Sequence, residues 1–307
     1  MQQAEILLAT CNGGKYLAQQ LDSLLKQTWP AWHLTASDDG STDDTPAILA
    51  QYAARHPDRI TLLNHGKHFG NARDHFFYLM QQTAAPYILF CDQDDVWNPD
   101  KVEITMEALL TEEAAHGADT PLLVFTDQTP TDESLTPTAD SLMRIQKQDA
   151  STIDYRRILL QNIVTGCACG INQALARLAG QITCTGDVIM HDWWLAAVAA
   201  RFGQVRYIDQ STMLYRQHGD NTVGAKDVSK LSYILGKLAK PAALRRQILN
   251  KKQQAARLLA DYAGMLTPED TAFLKTYAKP RSGPGFYWKH RALFNGTMRF
   301  LGTFFLG

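Results

Sequence analysis

Over the first 130 residues, short apolar runs alternate with stretches whose apolar positions recur at helical spacing. Residues 5–10 form an apolar run that ends at Asn12-Gly13-Gly14, a turn sequence. Tyr16, Leu17, Leu21, Leu24 and Leu25 then fall at helical intervals, which predicts a helix over 15–27. A strand over 32–37 runs into Asp38-Asp39-Gly40-Ser41, and a helix over 45–55 leads to a strand over 59–64. A helix over 72–82 precedes Pro86-Tyr-Ile-Leu-Phe-Cys91, a fully apolar strand that ends in Asp92-Gln93-Asp94-Asp95. Strands that are apolar throughout are buried on both faces. Separated by helices, they predict an α/β fold: a mostly parallel sheet flanked by helices.

The pattern continues with a helix over 100–116, a strand over 122–126, and helices over 154–160, 172–178 and 191–202. Residues 126–140 are polar and contain proline, which reads as a mobile loop near a site. Beyond Gly224 the chain is rich in Lys, Arg, Leu and Ala with few strand formers, so 225–307 is expected to be a helical appendage.

Charge sharpens that boundary. The 307 residues carry 30 basic and 31 acidic side chains, a net −1, but the balance is uneven. Residues 1–224 hold 15 basic and 27 acidic groups, and residues 225–307 hold 15 basic and 4 acidic groups. The tail therefore suits an anionic surface or partner. Hydrophobic content of 45% and charged content of 20% fit a folded protein rather than a disordered chain. No basic segment followed by a signal-peptide core opens the sequence, and no run of about 20 apolar residues predicts a spanning helix. Five cysteines, Cys11, Cys91, Cys167, Cys169 and Cys184, are expected to be reduced thiols of a cytoplasmic protein. Cys167 and Cys169 lack a second Cys/His pair at zinc spacing and read as small buried hydrophobes.

The candidate chemistry lies where strands end. In an open parallel sheet ligands bind beyond the carboxyl ends of the strands. Three such ends here are polar: Thr10-Cys11-Asn12-Gly13, Ser37-Asp38-Asp39-Gly40-Ser41 and Asp92-Gln93-Asp94-Asp95. Carboxylates that converge there repel one another unless a hard divalent cation joins them, and an Asp-x-Asp step can hold that cation against a diphosphate.

Ala9-Thr10-Cys11-Asn12-Gly13, Lys26-Gln27-Thr28, Ser37 to Asp43 and Phe90 to Trp97, taken in order, resemble the nucleotide-binding half of a family 2 inverting glycosyltransferase of the GT-A fold. His191-Asp192-Trp193-Trp194-Leu195 and Tyr215-Arg216-Gln217-His218-Gly219-Asp220-Asn221 resemble the acceptor half of its bacterial rhamnosyltransferase-like members. The resemblance covers about residues 4–224. It implies a catalytic domain over 1–224, with a nucleotide-sugar-binding half over 1–126 and an acceptor half over 127–224. By this resemblance Ala9, Thr10, Cys11, Asn12 and Asp39 contact base and ribose, with Gln93 beside them, and Arg73 faces the diphosphate or sugar. Asp92 and Asp94 hold Mn²⁺ or Mg²⁺, with Asp94 the direct ligand and Asp92 also touching ribose or sugar. His218 closes the metal site or a lid, and Asp192 is the catalytic base. Gly166, Trp193 and Trp194 line the acceptor side. One departure is Cys11, which stands where the family usually carries an aromatic residue.

Each residue also has a plainer reading. Asp38, Asp39 and Asp192 could cap helices, and Arg73 could pair with an acid. One of Trp193 and Trp194 is expected in the core. His65 and His68 read as solvated loop residues, and His191 as structural. The function expected is transfer of a sugar, with dTDP-rhamnose the first donor and UDP-sugars next, to a lipid-linked surface-polysaccharide acceptor. The alternatives are a non-catalytic nucleotide-sugar-binding or membrane-docked assembly subunit, and a nucleotidyltransferase. Lys226, Lys230, Lys237, Lys240, Arg245, Arg246, Lys251 and Lys252 crowd one segment. Phe294, Met298, Leu301 and Phe305 would share one helix face, with Arg291, Asn295 and Arg299 on another. That pattern fits an anionic membrane surface, and hence a cytoplasmic protein peripheral on the inner face of the cell membrane. No nucleic-acid motif accompanies the basic segment.

Overall fold

A computed structural model describes residues 2–63, 66–151, 153–219, 241–294 and 300. The boundary at Gly224, the four lysines from Lys226 to Lys240, and Asn295, Met298, Arg299, Leu301 and Phe305 lie outside the described residues.

The order of elements is β1 (Ala4–Thr10), α1 (Gly14–Leu25), β2 (Trp32–Asp38), α2 (Thr45–Arg55), β3 (Ile60–Leu63), α3 (Ala72–Gln81), β4 (Tyr87–Cys91) and β5 (Val96–Trp97). There follow α4 (Lys101–His116), β6 (Leu122–Thr131), α5 (Leu142–Ile145), α6 (Tyr155–Leu160), β7 (Cys169–Asn172), α7 (Gln173–Ala179), α8 (His191–Phe202) and β8 (Gln204–Arg216). The C-terminal helices are α9 (Pro241–Asp261), α10 (Pro268–Tyr277) and α11 (Pro284–Lys289).

The strands form one sheet in the order β3-β2-β1-β4-β7-β6-β8-β5. Its first four strands are parallel, as the sequence predicts. The rest is mixed: β7 is antiparallel to both β4 and β6, β6 and β8 are parallel, and β5 is antiparallel to β8. The sheet is thus the expected α/β sheet flanked by helices, but less uniformly parallel than the apolar runs suggest. Alternation along the strands sorts side chains to two cores. Leu7, Ile88 and Phe90 face the helices α3, α7 and α8, whereas Ile6, Leu8, Leu89 and Cys91 face α1, α2 and α4.

One expectation needs correction. Residues 126–131 are not a mobile loop but the second half of β6, in which Thr126, Asp127, Gln128 and Thr131 are buried. Two of them are paired across elements: the Thr126 and Thr212 hydroxyls lie 2.7 Å apart, and the Ser141 hydroxyl donates to Asp127, whereas Gln128 Oε1 has no hydrogen-bond partner among the described residues. Register shifts on either side of Asp127 bend the strand over the sheet end, the local effect of a bulge. The C-terminal region is helical, as expected, and it packs against the rest of the chain. Ala255, Leu258, Tyr262, Phe273, Leu274, Tyr277 and Tyr287 are buried in the same core as α8. Its cations partly turn inward, because the Lys252 ammonium donates to the carbonyls of Lys279 and Pro280 at 3.0 and 3.2 Å.

Candidate active site

The polar ends of β1, β2 and β4 meet at one end of the sheet. Parallel pairing of β1 with β2 sets Thr10 opposite Asp38, and pairing with β4 sets Leu8 opposite Cys91, so the loops that follow must converge. The Gln93 side chain locks two of them together. Its Oε1 accepts from the Cys11 N–H at 2.8 Å, and its Nε2 donates to the Cys11 carbonyl at 3.0 Å. Gly13 makes room for this clamp, since a Cβ there would lie 2.2 Å from Gln93 Oε1. Asn12 turns the chain at φ 50°, with its N–H donating to the Ser41 hydroxyl at 2.6 Å.

The predicted nucleotide-side residues are all at this end, in different states. Cys11 and Asn12 are exposed, whereas Ala9 packs partly against the core. Thr10 is buried and donates to Asp38 at 2.9 Å. Asp38 orders its own turn, accepting from the N–H groups of Gly40 and Ser41 at 3.1 and 2.8 Å. Asp39 is 3% exposed. Each of its oxygens already accepts one backbone N–H, from Phe69 at 2.5 Å and from Gly70 at 2.7 Å. His68 Nδ1 also lies 3.3 Å from Oδ1, which leaves Oδ2 the oxygen more open to another donor. His68 is exposed, as expected of a solvated loop residue, and it also sits against Asp39, with Nδ1 2.7 Å from the Asp39 backbone carbonyl oxygen. Arg73 takes the plainer of its two readings. It pairs bidentately with Asp74 at 3.0 and 2.9 Å and donates to the Val188 carbonyl at 2.9 Å. That pairing holds the Asp74 carboxyl down at about 2.

The Asp92-Gln93-Asp94-Asp95 loop is fixed from behind by Arg216, which is 2% exposed. Its Nε donates to the Asp94 carbonyl at 2.7 Å and its backbone N–H to Asp95 Oδ1 at 3.1 Å. Its remaining donors reach the Glu133 carbonyl and Gln19, and its guanidinium lies 4.6 Å from the Tyr16 ring centre. This residue ends β8 and so brings His218 into the site, where Nε2 lies 2.7 Å from Asp94 Oδ2. Asp92, Asp95 and Cys167 form an adjoining group whose ligand atoms lie within 4.8 Å of one another. Burial and the neighbouring Asp94 push the carboxyls of Asp92 and Asp95 upward, and the Asp95 Oδ2 atom has no hydrogen-bond partner. Below them Lys101 is almost fully buried, and burial depresses its ammonium. Converging carboxylates of raised pKa, an orphaned carboxylate oxygen and an adjacent imidazole fit a divalent cation. Oxygen donors joined by one nitrogen suit Mn²⁺ and admit Mg²⁺.

Asp192 lies in the first turn of α8. Its carboxylate accepts from the Trp193 N–H at 2.5 Å and from the backbone of Gly166. A helix N-terminus favours an anion, yet burial outweighs it and pushes the carboxyl up to about 7. Asp192 also raises Asp92, so the two carboxyls share one electrostatic environment. Gly166 fits because a Cβ there would sit 2.7 Å from His191 Nε2. His191 is buried with neither nitrogen hydrogen-bonded, packed on Phe76 and Phe90, and burial holds it neutral with a pKa near 3. Trp194 is fully buried and donates to the Ala179 carbonyl, so it has no face to offer an acceptor. Trp193 is partly exposed, with Nε1 2.5 Å from the Ile158 carbonyl and Lys251 over its ring.

Asp95, Arg216 and His68 escaped the sequence reading as site residues. Asp95 and Arg216 were visible only as parts of motifs, and nothing along the chain signals that they meet.

Known proteins with related chains sharpen the picture. Residues 5–177 match the family described as Glycosyl transferase family 2. Over 235 residues the chain is 28% identical to the dTDP-rhamnosyl transferase RfbG of Shigella flexneri, covering 74% of this chain and 76% of that one. It is 28% identical over 107 residues to the UDP-Glc:alpha-D-GlcNAc-diphosphoundecaprenol beta-1,3-glucosyltransferase WfgD of Escherichia coli, covering 34% of this chain and 40% of that protein. Among solved structures, TarS 1-349 of S. aureus in complex with UDP-GlcNAc aligns at a TM-score of 0.52 and 12% identity, covering 99% of this chain and 90% of that one. The mannosyltransferase PcManGT of Pyrobaculum calidifontis, in complex with GDP-Man and Mn²⁺, aligns at 0.51 and 18% identity, covering 94% and 75%.

Proposed function

The chain belongs to glycosyl transferase family 2, and from that premise we propose that it is a metal-dependent inverting enzyme whose catalytic base is Asp192. The observation that carries this reading is a buried carboxyl in the first turn of α8, pushed up to about 7 by burial and near enough to Asp92 to raise that carboxyl too. A general base works best when its pKa lies near the working pH. Asp192 takes the proton of an acceptor hydroxyl as that oxygen bonds to the anomeric carbon. The bond from that carbon to the diphosphate oxygen breaks, and its electron pair leaves with the nucleoside diphosphate. One displacement inverts the anomeric centre and needs no enzyme nucleophile. Asp92, Asp94 and His218 would hold the cation, which supplies Lewis-acid neutralisation of charge on the departing diphosphate. The Cys11–Asn12 turn and Asp39 would bind base and ribose, with the Gln93 clamp fixing the turn. Much of the acceleration would come from alignment of the two substrates.

The first donor to try is dTDP-rhamnose, supported by the likeness to a dTDP-rhamnosyl transferase over three quarters of both chains. The acceptor would be a lipid-linked saccharide at an anionic membrane. Among the described residues no helix is long and apolar enough to cross a membrane, while Trp288 is 61% exposed with Arg291 stacked on it. A thermal-shift screen of nucleotide sugars with Mn²⁺ or Mg²⁺ tests donor choice, because a ligand of the native state raises its stability. Asp94→Asn and Asp192→Asn should each abolish transfer in a folded protein. Turnover equal to the parent in either variant removes that role, and donor binding without transfer or hydrolysis across an acceptor panel would mark a binding subunit instead.

A further inference from the structure

The segment 183–190, which leads into Asp192, has little structure of its own. It contains one short 3₁₀ turn, Thr185–Asp187, and takes part in no strand. It is held from outside on two sides. From the nucleotide half, Arg73 donates to the Val188 carbonyl at 2.9 Å and Asp74 bonds the Thr185 side chain. From the C-terminal half comes a larger set, all from α9. Gln253 Nε2 donates to Asp187 Oδ1 at 2.7 Å, and Arg257 donates to Asp187 Oδ2 through Nε and NH2 at 3.0 and 2.6 Å. Gln254, fully buried, accepts from the Ile189 N–H at 3.0 Å. Asp261 accepts from the Thr183 hydroxyl at 2.7 Å, and Arg257 donates to both Thr183 and Asp261. Gln253, Gln254, Arg257 and Asp261 fall at the three-, four- and eight-residue intervals that share one helix face.

We propose that α9 is a positioning element of the active site: through Gln254 and Arg257 it holds 183–190, and thereby Asp192, at the distance the reaction needs. The helix drawn from the basic tail is then part of the catalytic unit. Arg257 acts through the segment rather than on substrate, and its geometry is preset by the pair with Asp261 four residues on. This inference rests on the reading of Asp192 as base.

The test uses the full-length chain and the variants Arg257→Ala, Arg257→Lys, Gln254→Ala and Asp192→Asn. Hydrogen–deuterium exchange is followed in peptides over 183–194, with 5–12 and 36–42 as internal references. Affinity for dTDP with Mn²⁺, and turnover of dTDP-rhamnose with GlcNAc-diphosphoundecaprenol, complete the set. Arg257→Ala and Gln254→Ala should speed exchange over 183–194, leave the two reference peptides and nucleotide affinity unchanged, and lower kcat by about ten- to a hundredfold, the scale of misplacement by about an ångström. The ascending limb of the kcat profile should move to lower pH as the loosened Asp192 is hydrated. Arg257→Lys should recover part of the loss, since an ammonium reaches one carboxylate but lacks the guanidinium fork. Unchanged exchange over 183–194 overturns the proposal whether or not the acceptor is turned over. So does a uniform rise in exchange with loss of nucleotide affinity, which would mark a merely structural role. Undiminished turnover by Asp192→Asn would instead sink the base assignment, a separate outcome from the behaviour of the Arg257 variants.

Discussion

Replacing Asp192 with Asn should stabilise the protein while stopping transfer. Burial raises this carboxyl from an ordinary 3.8 to about 7. The folded state therefore holds the proton more tightly than the unfolded state, and the native protein loses stability as pH rises from about 4 to about 7. A shift of about three units corresponds to about 4 kcal/mol at 1.36 kcal/mol per unit, an upper figure because some water reaches the site. The amide keeps the carboxylate's shape and an oxygen that can accept from the Trp193 N–H, so the fold loses little. If half to all of that is regained, the midpoint rises by about 3–6 °C for a chain of this length. The assay is thermal unfolding of both proteins from pH 4 to pH 8 without metal, beside a transfer assay. The two curves should converge near pH 4, separate through pH 7 and stay apart above it, and transfer should fall at least about a hundredfold. Equal stability at pH 8, or a difference that does not vary with pH, would refute the claim that a buried carboxyl of raised pKa sits at this position.

Other outcomes follow from the same geometry. Arg216→Lys should weaken Mn²⁺ binding by about ten- to a hundredfold, read by titration, because one ammonium cannot hold the Asp94 carbonyl, Glu133 and Gln19 together; unaltered affinity would show that the loop holds itself. Gly13→Ala should swing Gln93 off Cys11 at a cost of about 1–3 kcal/mol for two hydrogen bonds, with weaker nucleotide binding by calorimetry. Sedimentation with vesicles should need anionic lipid and weaken with salt, and binding indifferent to both would leave the exposed Trp288 without a membrane role.

What could be read along the chain was what local pattern carries. The apolar strand 87–91 announced itself, as did the polar turns after β1, β2 and β4, because a buried strand must shed its ligand-binding groups at its end. The misreading of 126–131 has a plain cause: polarity was equated with exposure. Thr126 and Asp127 are polar and buried, since β8 and the start of α5 supply partners that no local pattern can foresee. In the tail a count of cations likewise says nothing of their direction. Lys251 turns in to the Leu160 carbonyl, Lys252 to the end of α10, and Arg257 to Asp187. Charge asymmetry therefore supports a docking surface only for cations that remain outside, such as Arg245 and Arg246. The inward cations serve the core and the approach to Asp192, so removing the tail to abolish membrane binding would also disturb catalysis. A charge reversal at Arg245 and Arg246 alone separates the two effects, because neither side chain lies in the core.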